Sequence, residues 1–134
     1  MEITKQLSKI RIITNAIESI GGITLLDVDP GPDTNRTVVT FVGSPTAVEE
    51  AAFLGIKTAS EVIDMSKHKG THPRIGATDV CPLIPVSNVS DKECIEIYEK
   101  ICNNLPCPIC KSHAVKYLKE TIVPAIHLIK TVIE

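Results

Sequence analysis

Leu7, Ile10, Ile13, Ile17 and Ile20 recur every three or four positions, the spacing that lines one side of an α-helix with apolar side chains. Gly21-Gly22 stops that helix. From Ile23 to Asp29 the chain is apolar and closes on Asp-Val-Asp, which predicts a buried strand. Pro30-Gly31-Pro32-Asp33-Thr34-Asn35 is a turn by composition. Arg36 to Gly43 is dense in β-branched residues and predicts a second strand, joined to the first as an antiparallel hairpin.

Ser44-Pro45 then opens a helix, with Ser44 as N-cap and Pro45 in the first turn. Val48, Ala51, Ala52, Gly55, Ile56, Ala59, Val62 and Ile63 give it a narrow face that can sit close against a sheet, and the pattern runs to about Asp64. Thr78 to Val86 reads as a strand, but Pro82 and Pro85 each remove a ladder donor, so it is expected at an edge or with a break. Ser90-x-x-Glu93 is a capping box for a third helix reaching about Asn104, with Cys94 and Cys102 on its apolar side as small hydrophobes. Cys107 to Lys111 reads as a short fourth strand, and a last helical region is divided by Pro124. The order α-β-β-α-β-α-β-α predicts one α+β domain over residues 1–134, a mixed sheet with its helices packed mainly on one face.

Composition narrows the function classes. A chain of 134 residues has the size of one domain with a proper core. Net charge is −2, which gives no general attraction to nucleic acid or to an anionic membrane. With no Trp, two Phe and two Tyr, an aromatic platform for stacking bases is not expected. No apolar run approaches a membrane span, and Met1-Glu2-Ile3-Thr4-Lys5 lacks the layout of a signal peptide, so a cytoplasmic location is expected. The five cysteines are an odd number with no sign of export, which argues against a disulfide framework.

The densest chemistry lies in His68-Lys69-Gly70-Thr71-His72-Pro73-Arg74-Ile75-Gly76. Histidine alone among side chains gives and takes a proton near neutral pH without help from its surroundings. Arginine and lysine beside it can grip carboxylates. A plain basic surface loop, turned by its two glycines, is the competing reading. Pro73 restricts His72 to an extended backbone.

Asp27-Val28-Asp29-Pro30-Gly31-Pro32-Asp33-Thr34-Asn35-Arg36-Thr37-Val38 resembles the signature turn of the formiminotransferase N-terminal subdomain. Thr40-Phe41-Val42-Gly43, Ile63-Asp64-Met65-Ser66, His68 to Arg74 and Asp79 to Val86 resemble further motifs of that family, in the same order and spacing. The strong resemblance spans Leu25 to Val86, and a weaker one runs from about Lys5 to Ile126. The family is glutamate formimidoyltransferase, fused in animals to a cyclodeaminase. It moves a formimino group from N-formimino-L-glutamate to N5 of tetrahydrofolate, a one-carbon transfer late in histidine breakdown. The resemblance implies two α/β subdomains with folate in the cleft between them, and a dimer.

What the resemblance implies for this chain is residue-specific. The family's catalytic histidine stands in a His-Pro-Arg triplet, which here is His72. Asp29 would orient His72 or hold the formimino nitrogen; alternatively it opens the turn before Gly31 by bonding backbone. Arg74 and Arg36 are candidates for the carboxylates of glutamate or of the folate tail, with a solvated surface charge as the alternative. His68 adds positive potential, and Asn35 is a binding candidate that alternatively just fixes the turn. The chain departs from the family in starting at the first helix, without the first strand and its Asn-Phe-Ser-Glu-Gly loop. It also ends before the second subdomain and carries Leu105-Pro106-Cys107-Pro108-Ile109-Cys110 where an aromatic-containing strand is usual.

Two other classes compete with a one-carbon transferase. One is a non-catalytic folate-binding or dimerisation subunit, pairing with itself or with a separate C-terminal subdomain. The other is a metal or redox protein built on Cys107, Cys110 and His113. No second ligand pair follows at zinc-finger spacing, so a metal-free site with reduced thiols is expected.

Overall fold

The computed structural model of the chain describes residues 2–31, 36–63, 77–78, 81–105 and 129–133. In chain order these form α1 (Glu2–Glu18), β1 (Thr24–Gly31), β2 (Arg36–Val42), α2 (Pro45–Val62), α3 (Asp91–Asn104) and β3 (Ile129–Ile133). The result is an α+β domain.

The apolar stripe of α1 buries Ile13 and Ile17 completely. Leu7, which the same stripe includes, is instead half exposed. Past the helix, Gly22 has φ +87, the left-handed backbone that glycine adopts without steric cost. The chain turns there into β1. A side chain at Gly43, between β2 and α2, would stand 2.7 Å from the Gly22 carbonyl oxygen. The two turns at that end of the hairpin therefore touch through bare backbone.

Ser44 caps α2 as expected, its side-chain oxygen accepting from the Ala47 N–H at 3.3 Å, with Pro45 as the first helical residue. The small-residue face packs inward: Ala47, Val48, Ala51, Ala52, Gly55 and Ala59 are all buried. Gly55 lies so close to α1 that an added Cβ would sit 3.1 Å from the Ile17 side chain. Ser90 caps α3, accepting from the Glu93 N–H at 3.2 Å, and Asp91 and Glu93 place negative charge in the first turn, where the helix dipole favours it. Cys94 and Cys102 are buried as small hydrophobes beside Ile97 and Ile101.

The strands form one sheet in the order β1-β2-β3. Both pairings are antiparallel. Val39 and Phe41 of β2 are fully buried and join Ile13, Ile17, Val48, Ala51, Ile97 and Ile101 in a single core. Side chains alternate across a strand, so all three helices cover the face that Val39 and Phe41 present.

Three expectations need correction. Pro30 and Gly31, read as turn, belong to β1, paired with Thr37 and Arg36. Proline fits there because β1 has β2 as its only described neighbour, and an edge strand tolerates a missing donor. Thr78 to Val86 is not a strand where it is described: only single-residue bridges occur, at Thr78 and Leu83, as the two prolines dictate. Finally, residues 129–133, placed in a last helical region, form β3. Ile129, Thr131, Val132 and Ile133 are β-branched, lose rotamer freedom in a helix, and find a pairing edge on β2. The expected strand at Cys107–Lys111, and with it the mixed character of the sheet, lies outside the described residues.

Candidate functional site

Asp29 is the candidate whose surroundings the structure defines. It pairs with Val38 in the hairpin, two residues before β1 ends, and it is exposed. Its placement depends on an irregularity. Strand residues at i, i+2 and i+4 share a face, so an unbroken β1 would put Asp27 and Asp29 on the side of Leu25, which packs on the core. The register instead shifts between Leu25 and Asp27. Leu26 is the extra residue and is 54% exposed. After the shift Val28 takes the core side opposite Val39, and Asp27 and Asp29 pass to the face that no described helix covers, opposite Thr40 and Val38. Bulges that re-aim side chains in this way recur beside active sites.

Asp27 was not singled out by sequence reasoning, yet it shares Asp29's face and is exposed. The signal available was the doublet Leu25-Leu26, which breaks a strict alternation just before Asp-Val-Asp. Arg36 is the first residue of β2, paired with Gly31. Asn35, His68, His72 and Arg74 lie outside the described residues, as do Cys107, Cys110 and His113.

The attachment of the basic loop is nevertheless defined at both ends. On one side α2 closes at Ile63, whose N–H bonds the Ala59 carbonyl at 3.0 Å and whose side chain packs on the core. On the other, Ala77 packs on the same core. A half-buried strap, residues 81–85, follows. Tyr98 of α3 fastens it: its hydroxyl donates to the Cys81 carbonyl at 2.6 Å and accepts from the Leu83 N–H. Burial, followed by the neighbouring Cys81 thiol, pushes the Tyr98 hydroxyl well above its ordinary pKa. Burial, then the negative charges of Asp91 and Glu93, also raises the Cys94 thiol. Among the described residues, Cys81, Cys94 and Cys102 form no disulfide, and no three His, Cys, Asp or Glu side chains converge as a metal site would require.

The sequence of this domain has a clear counterpart among known proteins. Residues 3–117 match the formiminotransferase domain, N-terminal subdomain. The chain belongs to that family. It is 61% identical over 83 residues to the formimidoyltransferase-cyclodeaminase of Mus musculus, which covers 62% of this chain and 15% of that protein. It is 50% identical over 101 residues to the formimidoyltransferase-cyclodeaminase of Dictyostelium discoideum, covering 72% of this chain and 19% of the relative. With the glutamate formimidoyltransferase of Streptococcus pyogenes serotype M1 it shares 48% identity over 88 residues, 66% of this chain and 29% of that enzyme. The chain thus spans less than a third of the length of each of these relatives. Among the described residues no helix is long and apolar enough to cross a membrane.

Proposed function

We propose that the chain supplies one wall of a glutamate formimidoyltransferase site, moving a formimino group from N-formimino-L-glutamate to N5 of tetrahydrofolate, with His72 as general acid and base. The observation that carries this reading is the family match over residues 3–117, which encloses every candidate side chain from Asp29 to Arg74. The exposure of Asp29, on the sheet face that no described helix covers, supports it.

The chemistry asks little of the protein beyond proton handling and orientation. The amine N5 attacks the amidine carbon, a bond forms there, and the bond from that carbon to the glutamate nitrogen breaks. One proton must leave N5 and one must reach the departing nitrogen. His72 serves both needs in turn, accepting the first and returning it to the second. Asp29 orients His72 or holds the formimino nitrogen. Arg74 and Arg36 bind carboxylates of the glutamate part and the folate tail, where a guanidinium makes two parallel bonds. His68 adds positive potential, and Asn35 is a further contact for substrate or folate. In this reading the protein works in the cytoplasm on small molecules. It acts as a homodimer or with a C-terminal formiminotransferase subdomain.

A second reading stands beside the first: a folate-binding or dimerisation subunit that turns over only when a second subdomain is supplied. One assay separates the two. Formimino transfer from formiminoglutamate to tetrahydrofolate is measured with the chain alone, with a C-terminal subdomain alone, and with both. Transfer by the chain alone establishes the complete enzyme, and transfer only by the mixture establishes the subunit. Absence of transfer in the mixture, with tetrahydrofolate still unbound, removes both.

A further inference from the structure

The two neighbours of β2 differ in standing. β1 precedes it by a short connection, from Gly31 to Arg36. β3 begins at Ile129, with 24 residues between it and Asn104, the end of α3. β1, β2, α2 and α3 all lie within residues 3–117, the stretch that matches the formiminotransferase N-terminal subdomain, whereas β3 lies beyond it. The central strand thus has one neighbour inside the family match and one outside it.

The pairing of β3 is a matter of backbone. Its partnerships run from Thr37 with Ile133 to Phe41 with Ile129, and a ladder of N–H and C=O groups forms equally well with a strand from the same chain or from another. The edge borders the core, because Thr37, Val39 and Phe41, three of the β2 residues that pair with β3, are buried. The tether is long: 24 residues reach on the order of 80 Å at full extension, against a radius of gyration of about 14 Å for a domain of this length. We propose that the β2 edge opposite β1 is an interaction surface for one antiparallel extended strand, and that its partner in trans is residues 129–133 of a second copy of this chain. Two copies that trade β3 keep every pair of the sheet, so exchange forfeits only the advantage that the tether gives a chain's own strand. Exchange of this kind is independent of formimino transfer and of His72.

Thr40 and Lys130 are register partners. Directly opposed strand residues have Cα atoms about 4.5–5.5 Å apart, within disulfide reach. One full chain carries Thr40→Cys, a second carries Lys130→Cys, and a third carries both. Each is unfolded in urea with reductant and refolded with oxidised glutathione, which takes up the two electrons of the new bond. Bonds are located by peptide mass spectrometry. The double variant should close a bond within one chain. An equimolar mixture of the single variants, refolded together, should give a bond between chains joining the same two positions. That product should fall at least about threefold on tenfold dilution before refolding, and as much on adding an excess of a synthetic peptide of residues 129–134, which competes for the edge. Single variants that stay unlinked, beside a double variant that bonds within its chain, overturn the proposal. So does an interchain bond that the peptide leaves unchanged, and so does a double variant that forms no bond. If the variants do not fold, the unmodified chain decides, refolded as a mixture of nitrogen-labelled and carbon-labelled copies: β2–β3 NOEs between differently labelled copies support exchange, and their confinement within copies overturns it.

Discussion

Asp29 stands directly opposite Val38 in the β1–β2 ladder, and it faces away from the core because the ladder skips Leu26, three residues earlier. The bulge is thus a directional device: two acids leave the core side and Val28 takes their place. Deleting Leu26 removes the extra residue and can keep every pair of the ladder, Leu25 with Phe41, Asp27 with Thr40, Val28 with Val39 and Asp29 with Val38, so both acids stay on the face away from the core. The deletion is therefore expected to fold, with a loss of less than about 3 kcal/mol in urea denaturation. Asp29→Asn, at an exposed position, should change stability by less than about 0.5 kcal/mol. A deletion variant that fails to fold would contradict the reading of Leu26 as an extra residue outside the ladder.

His72→Ala is expected to lower kcat by about two to four orders of magnitude in the reconstituted transfer assay, the range for loss of a general acid–base. His68→Ala should cost far less, since its role is electrostatic. Arg74→Ala should chiefly raise KM if it grips a carboxylate equally in ground and transition states. Near-normal turnover in His72→Ala together with a dead His68→Ala would assign the chemistry to the other histidine.

Two glycine-to-alanine changes should differ sharply. At Gly43 the new methyl would meet the Gly22 carbonyl oxygen at 2.7 Å, and backbone cannot rotate aside. Gly43→Ala should therefore destabilise by about 1–3 kcal/mol, the usual cost of overpacking. At Gly55 the approach is 3.1 Å to the Ile17 side chain, and alanine gains up to about 1 kcal/mol of helix propensity over glycine. The two effects nearly cancel, so Gly55→Ala should leave the thermal midpoint within a few degrees of the parent. A larger loss at Gly55 than at Gly43 would contradict the packing described for the two turns.

Alkaline pH should weaken the fold. Cys94 is raised above its ordinary value of 9.0, chiefly by burial, and Tyr98 is raised above 10.0 for the same first reason. For both groups the folded state holds the proton more tightly than the unfolded state. Their contribution is complete below the unfolded pKa values and is lost as pH rises through the folded ones. Denaturation midpoints should be flat through neutral pH and fall from about pH 9 upward. Cys94→Ala should remove the first part of that fall. A midpoint that rises between pH 9 and 10.5 would contradict the burial of these groups.

Much of this layout was readable in the residues because the signals were local. Ser44-Pro45 and Ser90-x-x-Glu93 carry their own caps, and Ile13 and Ile17 mark the buried side of α1 without reference to anything distant. What escaped was decided elsewhere in the chain. The run Ile129 to Ile133 is short, a length that suits helix and strand alike until a partner is found, and its partner is β2. Pro30 reads as a turn residue until β1 proves to have β2 as its only described neighbour. Leu26 becomes a bulge only through its relation to Phe41 and Thr40. Tyr98 offered no signal, because its partners are backbone groups and any residue supplies those. Of the candidate site, Asp29 and the start of β2 are defined, and His72, His68, Arg74 and Asn35 lie outside the described residues.

The central strand also has a history in time. β2 gains its β1 neighbour within a few residues, but its β3 neighbour lies about ninety positions further along the chain. At ribosomal speeds of about 5–20 residues per second, that interval lasts roughly 5 to 18 s. Throughout it, one edge of β2 emerges into the cell with its amides and carbonyls unpaired, ready to accept any extended segment that passes. The nascent chain therefore spends its most vulnerable seconds with the middle of its sheet acting as an edge. Chaperone capture during synthesis would act most usefully there.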